Sequence, residues 1–346
     1  MKNKGLQSAL MFSLLTCAAL LLHTPSAQAC LSCGCGSSGS SADLGAIGGA
    51  SSLFSQGQHW LIQTGATYRQ VTGSFNDTGR FNPPPVDSYL GSLQSVLGVN
   101  YFQDSWTLGL QLPFQLNALD GAAWGAFGSI APTDENLRYG GGVGDIQIQG
   151  AYKFLETPTL GLAGWGSLGL PTGAIDLENP ANTTGSGVSI LSGGLLTVYK
   201  PPARLQMARP RSMWDWWTSR QQEYIFNIGY GQALNAPPSN INPFFQGQSL
   251  MAQLQANVSL VPRWTIGLGL NGQLGLWANA GANNLPTSES GASAQLAARW
   301  RVVPSVQYEM SMTQGVRLAM GADVPVLGSN SLTDATAHLV YYQFFE

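Results

Sequence analysis

The sequence predicts an all-β fold, a transmembrane antiparallel β-barrel of about twelve strands with both termini in the periplasm. Three observations carry that expectation. Charged residues make up only 10% of the 346-residue chain while hydrophobic residues reach 44%, well below the roughly 25% charge of ordinary soluble domains. Apolar residues alternate with uncharged polar ones in segment after segment, which is the period-2 pattern of a pleated strand. The connections between those segments alternate between tight and long, as in outer-membrane barrels.

At the start of the chain, Lys2 and Lys4 form a positive n-region and residues 9–22 a short apolar run. Ala27-Gln28-Ala29 then supplies the small residues that signal peptidase reads. Residues 1–29 are therefore expected to be a signal peptide, with Cys30 as the first mature residue. Losing the two lysines would take the formal charge from −3 to −5, a balance that gives no reason to expect nucleic acid. Residues 30–58 form a cysteine cluster followed by a flexible Gly/Ser linker, "GSSGSSADLGAIGGASS". Residues 59–346 are the barrel.

The twelve expected strands lie near 59–71, 88–102, 105–116, 143–154, 159–170, 186–199, 222–233, 247–260, 263–275, 291–310, 315–326 and 334–345. In "SWTLGLQLPFQL", Trp106, Leu108, Leu110, Leu112, Phe114 and Leu116 share one face, against Thr107, Gly109, Gln111 and Gln115. In "GASAQLAARWRVVPSVQYEM" the parity survives Pro304, so the stretch reads as one long strand. The last strand is ambiguous: Tyr342 and Phe344 share one face, and Leu339, Tyr341 and Phe345 the other. Connections at 103–104, 156–157 and 261–262 are tight. Those at 72–87, 118–142, 171–185, 276–290 and 327–333 are long and rich in Gly, Pro, Asn and Ser.

A soluble sandwich also alternates, but its outer face would carry Lys and Glu, whereas here the polar face is mostly Gln, Asn, Ser, Thr and Gly. In hydrocarbon every backbone group must be paired, so closure is the only all-β solution. Trp60, Tyr68, Tyr89, Tyr101, Trp106, Tyr152, Tyr224, Tyr230 and Trp264 are candidates for the interfacial girdles, facing outer-membrane lipid. One turn departs from the pattern. Residues 200–221, "KPPARLQMARPRSMWDWWTSRQ", should form a short periplasmic turn, yet carry Arg204, Arg209, Arg211, Trp214, Trp216 and Trp217. Such a basic, Trp-rich segment can lie on an anionic membrane surface, dock a periplasmic protein, or simply be a long turn packed on the rim.

Several chemistries are excluded. No glycine loop ends in Gly-Lys-Ser/Thr, and "GGGVGDIQIQG" opens a strand rather than a helix, so neither a P-loop nor a dinucleotide fingerprint is present. His59 and His338 have no assignable triad partner, and no enzymatic activity is expected. The lumen face is more informative. Arg69, Lys153, Arg299, Arg301 and Arg317 should face Asp145, Glu223, Glu309 and Asp323 there. Buried charges must pair or meet water, so the set either plugs the lumen as a salt-bridged network or lines a pathway that selects a small solute. Open porins have about sixteen or more strands, so twelve implies a narrow pore at most.

"CLSCGCG" places Cys30, Cys33 and Cys35 together. Gly34 follows Cys33, which excludes c-type haem, and three cysteines are too few for a conventional iron–sulfur cluster. Three thiolates can converge on copper or zinc. Alternatively, Cys30 and Cys33 have redox-motif spacing and would oxidise in the periplasm. Lipidation of Cys30 is a further reading, although no Leu precedes it at the lipobox position.

The stretch "RVVPSVQYEMSMTQGVRLAMGADVPVLGSN" resembles the bacterial outer-membrane barrels of the transporter-like family named for the meta-pathway of phenol degradation, with its Pro-x-x-x-Tyr strand, turn and Pro-x-x-Gly loop. The start "ACLSCGCG" is similar to barrels beginning Cys-x-x-Cys-x-Cys-Gly. The resemblance implies the fold, an outer-membrane location and a transport role, and carries no site residues. The expected function is an outer-membrane channel for a small solute with an N-terminal thiolate cluster. The alternative is a plugged barrel that anchors a periplasmic electron-transfer or metal-handling partner.

Overall fold

The computed structural model describes residues 58–75, 80–83, 90–120, 137–176, 180–202, 220–234, 246–277, 296–311, 313–329 and 332–345. Fourteen strands follow in chain order: β1 (His59–Phe75), β2 (Phe81–Asn82), β3 (Leu90–Phe102), β4 (Trp106–Asp120), β5 (Leu137–Val143), β6 (Ile146–Glu156), β7 (Leu160–Leu170), β8 (Ile190–Tyr199), β9 (Gln222–Ala233), β10 (Gln246–Val261), β11 (Trp264–Trp277), β12 (Leu296–Glu309), β13 (Gln314–Ser329) and β14 (Leu332–Phe345). Twelve of them make the wall. The short β2 is a flap on β1, and β5 continues the β6 wall against the upper part of β4. Every pairing is antiparallel, and β14 returns to β1 with Trp60 opposite Phe345. The sheet is therefore closed and has no free edge in the wall, as a bilayer requires.

An even number of wall strands brings both ends of the barrel to one rim, the terminal rim. Its connections at 103–105, 157–159, 262–263 and 310–313 are short, and only 200–221 is long. At the opposite, far rim the connections 76–89, 121–136, 171–189, 234–245 and 278–295 are long. The stretch 327–333, expected to be a loop, instead belongs almost wholly to β13 and β14, because both strands run further than their apolar pattern.

Among the described residues, the outer face presents large exposed apolar side chains. Leu116, Leu195, Leu254, Leu268 and Met320 are all more than half exposed, an area that makes physical sense only against lipid. Aromatic rings gather near the terminal rim: Trp60 on Tyr101 (4.8 Å between ring centres), Tyr101 on Trp106 (5.5 Å) and Trp264 on Tyr308 (4.7 Å). The last strand resolves its ambiguity through closure. Tyr342 is buried, whereas Leu339 and Phe345 are exposed. β12 passes through Pro304 as a single strand, as its parity suggested. Proline has no amide hydrogen, and the β12–β13 register skips from Val302↔Ala322 to Ser305↔Ala319 across it.

Candidate functional site in the barrel lumen

The inward face is unevenly filled. Around most of the wall the side chains interlock. Gln149 donates to Asn100 Oδ1 (2.9 Å), Gln111 donates to Gln149 (3.3 Å) and Gln255 donates to Asn257 (2.7 Å). Trp165 lies among them, its indole N–H donating to Asn227 Oδ1 at 2.8 Å. Gly194 and Gly229 make room for it, because a Cβ at either position would run into the Trp165 ring. An apolar cluster joins Leu61, Phe102, Trp165, Leu196, Ile225 and Tyr342. Deep residues such as Ile225 and Leu61 have almost no contact with solvent. Small barrels are filled in this way by their own inward side chains. Beside β11 and β12, by contrast, many inward residues, Asn271, Arg301, Val303 and Ser305 among them, are only half-buried.

The far mouth is partly covered by the 171–189 connection, which turns inward. Ala181 and Val188 are completely buried. Asn117 Nδ2 donates to the carbonyls of Ala181 (2.8 Å) and Thr183 (3.0 Å), and Thr184 Oγ1 donates to the Val143 carbonyl (2.7 Å). Asp145 is the anchor. Its carboxylate accepts from the Gly173 amide (2.9 Å), the Ser186 amide (2.6 Å) and the Ser186 hydroxyl (2.6 Å). A carboxylate accepting backbone N–H bonds makes a strong, directional tether.

The principal charge cluster lies on the seam where the barrel closes. Arg69 on β1 binds Asp334 on β14 (2.5 Å), Arg301 on β12 binds Asp323 on β13 (3.0 Å) and also Asp334, and Arg299 reaches Asp334 at 3.5 Å. Arg299 is held from the other side by Gln273, at 3.0 and 2.7 Å. The Asp334 amide donates to Asp323 Oδ2 at 2.8 Å, which links the carboxylates through the backbone of β14. His338 is next along the same face, its ring nitrogens shared with the Thr67 (2.9 Å) and Thr336 (3.1 Å) hydroxyls.

Of the nine charged lumen candidates, Arg69, Arg299, Arg301 and Asp323 come together. Arg317 lies nearer the terminal rim, donating to Ser305 at 3.2 Å. Asp145 holds the far-mouth connection instead. Lys153 pairs with Glu156 (3.3 Å), and Glu223 pairs with Lys200 (3.7 Å) and accepts from Asn257 (3.1 Å). Glu309 is exposed at the terminal end of β12. Sequence reasoning missed Asp334, the hub. The available signal was the alternation Asp334, Thr336, His338, which marks one polar face at spacing 2. His59, the other histidine of the barrel, stacks on Phe102 with ring centres 4.7 Å apart. The candidates Cys30, Cys33, Cys35, Arg204, Arg209, Arg211, Trp214, Trp216 and Trp217 lie outside the described residues. Among the described residues, no group of three or more His, Cys, Asp or Glu side chains is placed to share a metal ion.

No protein-family model and no curated protein matches the sequence. Solved structures do match the fold. The crystal structure of the COG4313 outer membrane channel from Pseudomonas putida F1 superposes with a TM-score of 0.57 at 15% identity, covering 85% of this chain and 98% of that one. The translocator domain of the autotransporter NalP from Neisseria meningitidis gives a TM-score of 0.46 at 9% identity, with 90% and 96% covered. The NanC porin gives 0.44 at 7%, with 82% and 100% covered. The first of these has the same outer-membrane barrel fold as this chain. The other two, below 0.5, are likenesses too loose to bear on function.

Proposed function

We propose that this protein is a channel of the bacterial outer membrane that passes a small solute, with the terminal rim in the periplasm. One observation carries the reading: a closed wall with an apolar outer face encloses a polar, charged interior that is packed around most of the wall and only half-buried beside β11 and β12. A barrel serving only as a wall or an anchor has no need of that unpacked stretch. The likeness in fold to an outer membrane channel supports the same reading. The test is ion conductance of the purified barrel in a planar bilayer. Discrete, narrow openings are expected, and a silent barrel that is demonstrably inserted would overturn the proposal.

At the chain start we read Cys30, Cys33 and Cys35 as a thiolate cluster for copper or zinc, since three soft donors on a Gly-rich turn suit such ions. Elemental analysis beside a variant with all three changed to Ser decides it: about one metal per chain that is lost in the variant, or none in either. A platform role is the second reading. It rests on 200–221 being the one long connection at a rim whose other turns are short. Cross-linking from Trp214 or Trp216 that recovers no periplasmic protein would count against it.

A further inference from the structure

The amide side chains inside the wall form chains of hydrogen bonds, and the one along β10 has a fixed direction. Glu223, held by Lys200 at 3.7 Å, is a carboxylate that can only accept. Asn257 therefore turns its amide nitrogen to Glu223 (3.1 Å). That leaves Asn257 Oδ1 to accept from Gln255 (2.7 Å), and Gln255 Oε1 to accept from Gln253 (3.4 Å). The acid at one end thus sets which way each amide faces. At the other end the chain stops on Gln253 Oε1, which is buried and accepts no hydrogen bond. Gln253 is only 6% exposed, and a buried acceptor left over in this way calls for a donor from outside the chain.

Asn271, directly across from Gln253 on β11, adds a second buried acceptor without a partner, its Oδ1. Opposed side chains of an antiparallel pair start about 4.5–5.5 Å apart. The two hydrogens of one planar NH2 group reach acceptors about 5 Å apart at ordinary bond lengths, whereas a hydroxyl offers a single hydrogen. The same row continues with Asn227 on one side and Arg301 on the other. Neither is an acid, so a cation at the pair would shed its hydration with no counter-charge beside it. A neutral NH2 group loses far less. The pair also lies where the filled wall gives way to the half-buried stretch, since Asn271, Val303 and Ser305 are only half-buried. A solute in the lumen reaches it from the β11 side, and Gln253, held by the longest bond of its chain, can turn to meet it.

We propose that Gln253 and Asn271 form a binding site for the NH2 group of a small primary amide, both carbonyl oxygens accepting from the one nitrogen. The site rests on the channel reading only in that the solute must reach the lumen. The probe is propionamide, titrated into the full barrel in phosphatidylcholine nanodiscs with isotope-labelled Gln and Asn side chains. Its controls are N,N-dimethylpropionamide, which keeps the carbonyl and has no N–H, and propylammonium, the matched cation. The side-chain resonances of Gln253 and Asn271 are identified by their loss in Gln253→Leu and Asn271→Leu. Both should shift and saturate with propionamide and stay in place with either control. In each leucine variant the remaining resonance should report propionamide binding about fivefold weaker, the loss of one neutral hydrogen bond. Asn271→Leu removes an acceptor that has no partner to lose, so it serves should Gln253→Leu not fold.

No saturable shift with propionamide, equal shifts with N,N-dimethylpropionamide, or an affinity unchanged in a folded leucine variant would each overturn the site, leaving the two carbonyls to water alone. The channel reading is judged separately by conductance. Propionamide binding in a silent barrel keeps the site and removes the channel; conductance without propionamide binding keeps the channel and removes the site.

Discussion

Asp334 shows how much one side chain decides here. It is fully buried and meets all three arginines of the seam, so its neutral replacement leaves three guanidiniums facing a single remaining acid, Asp323. Breaking a buried ion pair from one side costs about 3 kcal/mol or more. Asp334→Asn is therefore expected to lower the denaturant midpoint of the refolded barrel markedly, read from tryptophan fluorescence during urea unfolding in detergent. Trp165 gives a second case. Its ring occupies the space left by Gly194 and Gly229, and overpacking a filled interior costs about 1–3 kcal/mol. Gly229→Ala should thus destabilise the barrel by that amount in the same assay. Trp165→Phe, which loses the bond to Asn227, leaves that acceptor unpaired and empties part of the space over the two glycines, should cost about 2 kcal/mol or more.

Among the elements, the 171–189 connection differs most from the simple barrel pattern. A long Gly- and Asn-containing loop at a far rim normally stands away from the wall, but this one turns back into the mouth and buries its own Thr183, Thr184 and Ser186. Asp145 holds it through three hydrogen bonds. Asp145→Ala removes them all, each worth about 1.5–3 kcal/mol as a bond to a charged group. The expected outcome is a larger and noisier single-channel conductance in planar bilayers, with the strand content unchanged by circular dichroism. An unchanged conductance would mean that this connection does not restrict the pathway. In the sequence, Asp145 was legible as an inward residue at the start of a strand but not as a tether, because its partners, Gly173 and Ser186, are set by where the loop folds and not by any periodicity.

For the whole molecule, size and filling act together. A twelve-strand barrel encloses little space before its side chains are counted, and one side of that space is already taken by Trp165, the Gln and Asn ladder and the apolar cluster. The wild-type barrel should accordingly conduct far less than an open sixteen-strand porin under the same salt, measured side by side in one bilayer. A conductance of porin size would show that the packed side opens in the membrane.

The alternation of apolar and polar residues determined by itself that this chain is a closed antiparallel barrel with about twelve wall strands, and where most of them begin and end. Period-2 patterning is a local property, and a bilayer admits one all-β answer to it. The inward set of charged residues followed from the same parity. Which of those residues meet was decided only by tertiary structure. Contacts across the lumen and the closure seam join positions as far apart as Arg69 and Asp334, and depend on strand register, on closure and on a loop that folds inward. None of these is written in the neighbours of any one residue. For that reason Lys153 and Glu223 turned to local partners, Asp145 to a loop, and the hub of the seam fell to Asp334, a residue whose importance exists only once β14 lies between β1 and β13.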